Sequence, residues 1–139
     1  MPSLETLRAF AAAVEANDHV GAIKNFYAPD ASTRENENPP ITVRDTLAER
    51  ERKVLERVAS VKTTRIGPLL FDGDHSAIRW RFEFMAKDGS VRVMEEVTWQ
   101  TWRDEQLIEE HFFYDPGMLT KPRDAAANGS SQRNRGLRV

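Results

Sequence analysis

Between residues 76 and 115, large apolar side chains alternate with polar and charged ones around two turn signals, which commits the stretch to antiparallel strands with two unlike faces. The first turn is Asp88-Gly89, a strong signal for a two-residue hairpin. It pairs Phe84 with Val93, Phe82 with Glu95, Trp80 with Val97 and Ile78 with Trp99. The second turn, Asp104-Glu105, pairs Trp99 with Glu110, Val97 with Phe112 and Glu95 with Tyr114. One face then carries Ile78, Trp80, Phe82, Phe84, Val93, Val97, Trp99, Ile108, Phe112 and Tyr114, interrupted by two carboxylates, Glu95 and Glu110. The other carries Arg79, Arg81, Glu83, Arg92, Glu96, Thr98, Gln100, Glu109, His111 and Asp115. A register fixes both faces together, because successive side chains point to opposite sides.

The chain of 139 residues is expected to form one domain, burying roughly two-thirds of its unfolded surface in a single core. It has no cysteine, which excludes disulfides, thiolate metal sites and a cysteine nucleophile. Met1-Pro2-Ser3-Leu4-Glu5 lacks the basic and apolar regions of a signal peptide, and no apolar run approaches the roughly 18 residues of a membrane span, so a cytoplasmic location is expected. Net charge is −2, but the segment Lys121 to Val139 holds five basic residues against one acidic, which leaves −6 on the rest. Such a body repels nucleic acid.

Leu4, Leu7, Phe10, Ala11 and Val14 recur at helical spacing, and a second short helix runs from Val20 to Tyr27 and stops at Pro29. A polar strand, Ala31 to Asn36, ends at Asn38-Pro39-Pro40. Thr42 with Asp45 resembles a capping box for a long helix whose apolar stripe is Val43, Leu47, Val54, Leu55 and Val58, with a gap at Arg50 and Glu51. A strand from about Val61 to Phe71, with a bulge at Gly67-Pro68, leads into the two hairpins. Residues 121–139 have almost nothing to bury and are expected to be a disordered basic tail to a domain spanning 1–120. The order α, α, β, α and then antiparallel strands predicts an α+β domain in which three helices cover the aromatic face of a curved mixed or antiparallel sheet. A pocket is expected between Trp80, Trp99, Phe112 and the long helix.

Three segments carry a family resemblance: Phe26-Tyr27-Ala28-Pro29-Asp30-Ala31, Trp102-Arg103-Asp104-Glu105-Gln106-Leu107 and Glu110-His111-Phe112-Phe113-Tyr114-Asp115-Pro116. Through them the chain resembles the nuclear transport factor 2-like superfamily, in its SnoaL-like branch, from Leu4 to Leu119. The resemblance implies a cone-shaped fold with a deep pocket, dimeric through the outer sheet face. Activity is left open, since the superfamily holds isomerases, polyketide cyclases, epoxide hydrolases, dehydratases, association domains and binding proteins. By similarity to the ketosteroid isomerases, the catalytic base falls on or near Glu35, with Glu37 as an alternative. The phenol and acid donors fall on Phe10 and Val97, so both are replaced by apolar groups. The closing-strand acid of the related epoxide hydrolases corresponds to Phe112.

Glu95 and Glu110 are expected as diagonal neighbours on adjacent strands. If both are buried, repulsion and desolvation raise at least one pKa and create a proton donor and acceptor pair. The alternative is that Tyr114, the Trp99 indole or a basic residue such as Arg50 or Arg65 satisfies them as structural groups. Tyr114, Trp80 and Trp99, with Phe112, Val97 and Phe10, are candidates to line a site for a flat apolar molecule. His19, His75 and His111 are too dispersed for a metal site, and no phosphate loop, nucleophile motif or cofactor fingerprint occurs. Two functions stay open: binding a small apolar or aromatic metabolite with cofactor-free acid-base chemistry using Glu95, Glu110 and Glu35, or a non-catalytic binding or association module. A homodimer through the outer sheet face is expected, because that face mixes charges of both signs with Met85, Met94, Trp102 and Phe113.

Overall fold

A computed structural model describes residues 1–119. The expected tail, residues 121–139, lies outside the described residues. Helix α1, Leu4–Glu15, starts where the Ser3 hydroxyl accepts the Thr6 N–H at 3.1 Å, and it buries Leu7, Phe10 and Ala11. Helix α2, His19–Phe26, is capped by Asp18, whose carboxylate accepts the Gly21 N–H. Tyr27 is not its last residue: it opens strand β1, Tyr27–Glu35, with its side chain 3% exposed.

Strand β2, Ile41–Thr42, precedes helix α3, Arg44–Glu56. The expected capping box at Thr42 does not form, because Thr42 pairs with Ser32 of β1 and Val43 turns the chain into the helix at φ 81°, leaving the first turn without a side-chain cap. Strands β3, Val58–Arg65, and β4, Leu70–Asp72, take the place of one long strand, since Gly67-Pro68 interrupts the ladder. Strands β5, His75–Ala86, β6, Val91–Arg103, and β7, Gln106–Phe113, are followed by a 3-10 turn at Pro116–Leu119. The mixed sheet runs β2-β1-β7-β6-β5-β3, with β4 also on β5 and with β1 parallel to β7. The three helices pack on its inner face, as predicted for an α+β cone. Phe10 meets Trp102 edge to face with ring centroids 5.6 Å apart, which ties α1 to that face.

The predicted face of β5 is observed: Ile78, Trp80 and Phe82 are buried. The predicted face of β6 is inverted. Gly89 N–H donates to the Ala86 carbonyl and Ala86 N–H donates to the Ser90 carbonyl, so the loop has three residues, Lys87-Asp88-Gly89. It is a type I turn closed by Gly89 at φ 91°, a conformation that glycine adopts without strain, and the Asp88 carboxylate accepts Ser90 N–H at 2.9 Å. The one extra loop residue moves the register by one. Phe82 faces Met94 and Trp80 faces Glu96, so Glu95, Val97 and Trp99 point outward while Met94, Glu96, Thr98, Gln100 and Trp102 point inward. Val97 is 41% and Trp99 46% exposed, while Glu95 lies 3.7 Å from Arg81 and 3.9 Å from Arg79. The second turn is Asp104-Glu105 as read, but the register shifts beyond the Trp102–Leu107 pair, so that Gln100 faces Glu110 and both point inward.

Candidate active site

Between the inner sheet face, α2 and α3 lies a cavity of about 340 Å³. Phe10 and Trp80 form part of its wall with Phe82, Phe84, Phe112 and Tyr114. Four carboxyl groups from four elements reach it: Glu35 of β1, Glu51 of α3, Glu96 of β6 and Glu110 of β7. Among the described residues, no lysine or arginine lines it. Of the nine residues singled out in the sequence, Glu110, Glu35, Phe10, Trp80, Phe112 and Tyr114 line this cavity, and Glu95, Val97 and Trp99 do not. The alternative base Glu37 projects outward beside Arg34.

Glu110 is bonded at both oxygens. The Tyr27 hydroxyl donates to Oε1, and Gln100 Nε2 donates to Oε2 at 2.6 Å. Gln100 is itself held, since its Oε1 accepts the Ser76 hydroxyl at 2.7 Å and Ser76 Oγ accepts the Trp102 indole N–H at 2.9 Å. Thr98 Oγ1 accepts a second bond from Gln100 Nε2 at 2.8 Å. The chain from Trp102 to Tyr27 therefore satisfies a row of buried polar groups across four strands, β5, β6, β7 and β1. Burial raises the Glu110 carboxyl to about 6, with the bonds from Tyr27 and Gln100 opposing the rise. Burial, and then the Glu110 charge, also push the Tyr27 phenol well above its ordinary range.

Glu96 has the same burial and none of the bonding. It is 7% exposed and, among the described residues, has no hydrogen-bond or ion-pair partner. Burial first, then the charges of Glu110, Glu35 and Glu51, hold its carboxyl well above the ordinary carboxylate range. Glu51 is raised by burial and by the Glu35 charge. It lies 3.9 Å from His19 Nδ1, but burial lowers the His19 pKa, so the imidazole is neutral near pH 7 and adds no fixed positive charge. His19 Nε2 lies 3.1 Å from Thr63 Oγ1. Glu35 accepts the Tyr114 hydroxyl, and burial together with that bond raises the Tyr114 phenol.

Sequence reasoning missed Glu96, Glu51 and Tyr27. Glu96 becomes visible once Lys87 is counted with Asp88-Gly89 in a three-residue loop. Glu51 lies four residues from both Leu47 and Leu55, so an acid interrupts the apolar stripe of α3 at a position facing the sheet. Tyr27 carried no local signal, because its partner is 83 residues away. The acid-donor position assigned by resemblance to Val97 also needs correction: Val97 faces outward, and the inward carboxyl beside it in sequence is Glu96.

Solved structures share this architecture. One, from Mesorhizobium loti and described as a candidate SnoaL-like polyketide cyclase, is 26% identical at TM-score 0.66, covering 79% of this chain and 97% of that one. Another, from Catenulispora acidiphila, has a ketosteroid isomerase-like fold and was crystallised with trimethylamine. It is 19% identical at TM-score 0.68, covering 84% and 90%. An M. tuberculosis LEH-like epoxide hydrolase is 12% identical at TM-score 0.68, covering 84% and 85%. No functionally curated protein matches the chain significantly. The family model for the SnoaL-like domain matches residues 7–111, from the first turn of α1 to the inner end of β7, and the chain belongs to the SnoaL-like family.

Proposed function

We propose that the protein binds a small, largely apolar or aromatic metabolite in the cavity and moves a proton on it by cofactor-independent acid-base chemistry. The supporting observation is Glu96, a buried carboxyl with no protein partner among the described residues, facing a space lined by aromatic rings. A carboxyl kept neutral by burial donates a proton, as an ionised one does not. Glu35, oriented by the Tyr114 hydroxyl, is the matching acceptor. Glu35 takes a proton from the ligand while Glu96 delivers one to another of its atoms, and exchange with water restores both groups. Glu110, bonded at both oxygens, holds the inner strands in place and takes no part in the transfer. Isomerase, cyclase and dehydratase reactions all fit this scheme. The test is to release co-purified small molecules, identify them by mass spectrometry, and incubate them with the protein in deuterium oxide. Deuterium uptake or conversion that Glu96→Gln and Glu35→Gln each reduce by about 10²-fold or more supports the enzyme. A tightly held molecule recovered unchanged and undeuterated would make the protein a binding module.

We also propose a homodimer through the outer sheet face. The register places Val97, Trp99, Phe113 and Met85 there, each 39–46% exposed, beside the charges of Arg79, Arg81 and Glu95. An apolar centre with a charged rim suits an isologous interface. Sedimentation showing only monomer at micromolar concentration would overturn this assignment.

A further inference from the structure

The walls of the cavity are asymmetric in charge. Glu35, Glu51, Glu96 and Glu110 reach it from four elements, and among the described residues its only basic side chain is His19. Two of the four carboxyls have partners that share their charge: Glu110 accepts from Tyr27 and Gln100, and Glu35 accepts from Tyr114. Glu51, with 32% of its side chain exposed, has His19 Nδ1 at 3.9 Å. Glu96 is 7% exposed, has no hydrogen-bond or ion-pair partner among the described residues, and faces the cavity. A buried carboxyl left in that state is a vacant half of an interaction.

We propose that the missing half is a basic nitrogen, so that the ligand class is a small amine or nitrogen heterocycle carrying an apolar body, with its nitrogen against Glu96. This deepens the ligand-binding part of the reading above and rests on it. A neutral nitrogen takes the proton of Glu96 and becomes a cation, whereas an ammonium displaces that proton to water. In both cases the bound state is the same pair, a carboxylate at Glu96 and an N–H cation beside it. Glu35, Glu51 and Glu110 add negative potential, and the faces of Trp80 and Phe82 offer cation–π contact for the charge and apolar contact for the body. An anionic ligand meets the opposite conditions, with carboxyls on several walls and, among the described residues, no guanidinium or ammonium to receive it.

Three probes of one shape separate the possibilities: benzylamine, benzyl alcohol and benzoate, titrated calorimetrically into the full chain at pH 7. The expected order is benzylamine tighter than benzyl alcohol by about tenfold or more, with benzoate weakest. Repeating the benzylamine titration in buffers of different ionisation enthalpy should show about one proton released per ligand, because Glu96 ionises when the ammonium arrives. Glu96→Gln should abolish both the preference and the proton release, with an unchanged far-ultraviolet circular dichroism spectrum reporting an intact fold. The groups facing Glu96 that also titrate are Glu35, Glu51, Glu110, Tyr27, Tyr114 and His19, so Glu51→Gln serves as the second variant. It should weaken the amine preference only partly. Benzyl alcohol binding as tightly as benzylamine would overturn the amine assignment and leave the apolar-ligand reading standing. An amine preference unchanged in Glu96→Gln would overturn the role of Glu96. Failure of all three probes to bind at millimolar concentration would overturn the ligand reading itself.

Discussion

Glu96 and Glu110 lie on adjacent strands, face the same side of the sheet and are almost equally buried, at 7% and 4% exposure, yet among the described residues Glu96 has no hydrogen-bond or ion-pair partner and Glu110 is bonded at both oxygens. The difference separates two uses of a buried acid. Where the fold supplies donors, the carboxyl ties strands together. Where it withholds them, the carboxyl carries an unmet demand that a ligand can fill, at a cost to stability.

The largest effect is expected at the bonded acid. Glu110→Leu leaves the Tyr27 hydroxyl without its acceptor and Gln100 with one fewer, and should lower unfolding free energy by about 3 kcal/mol in urea denaturation. At the unpartnered acid the sign reverses. Glu96→Met, of similar shape and apolar, should stabilise the protein by about 1 to 3 kcal/mol at pH 8 while weakening ligand binding, so a destabilised Glu96→Met would erase the contrast.

Dependence on pH sharpens the comparison. Both folded-state values lie above the unfolded one, so the fold favours the protonated acids and stability falls as pH rises. For Glu110 the loss begins near its ordinary value of 4.5, is complete above about 6 and amounts to about 2 kcal/mol, whereas for Glu96 it extends to higher pH. Denaturation of the wild type and Glu96→Met between pH 4 and 8 should therefore give a flatter profile for the variant. A smaller effect is expected of Tyr114→Phe, which removes the hydroxyl bonded to Glu35 and should cost about 1 kcal/mol in thermal unfolding. Smallest is Trp99→Ala on the outer face, which should change the stability of an isolated protomer by about 0.5 kcal/mol or less while weakening self-association in sedimentation.

Much of the cone was legible along the chain, because the evidence for it is local. Apolar spacing marked α1, prolines and glycines marked the ends of elements, and alternation identified the inner face of β5 as Ile78, Trp80 and Phe82. Of the cavity, Glu35, Glu110, Phe10, Trp80, Phe112 and Tyr114 were named in advance, Glu35 and Phe10 through family resemblance. Glu95, Val97 and Trp99 were misplaced together by a single error, the loop residue Lys87, because a one-residue slip inverts a whole strand.

The amino-acid sequence by itself determined the element types, the family, and the absence of thiol chemistry and of a recognisable cofactor motif. The family was legible through resemblance, and the rest are properties of composition or of neighbours a few residues apart. Only the tertiary structure decided which glutamates face the cavity, that Tyr27 and Gln100 satisfy Glu110, and that Glu35, Glu51 and Glu96 converge on one space from three different elements. The physical reason is range. Periodicity is read within a turn of helix or a pair of strand residues, whereas the protonation of a buried acid depends on donors and charges brought together from distant parts of the chain by strand register and helix packing.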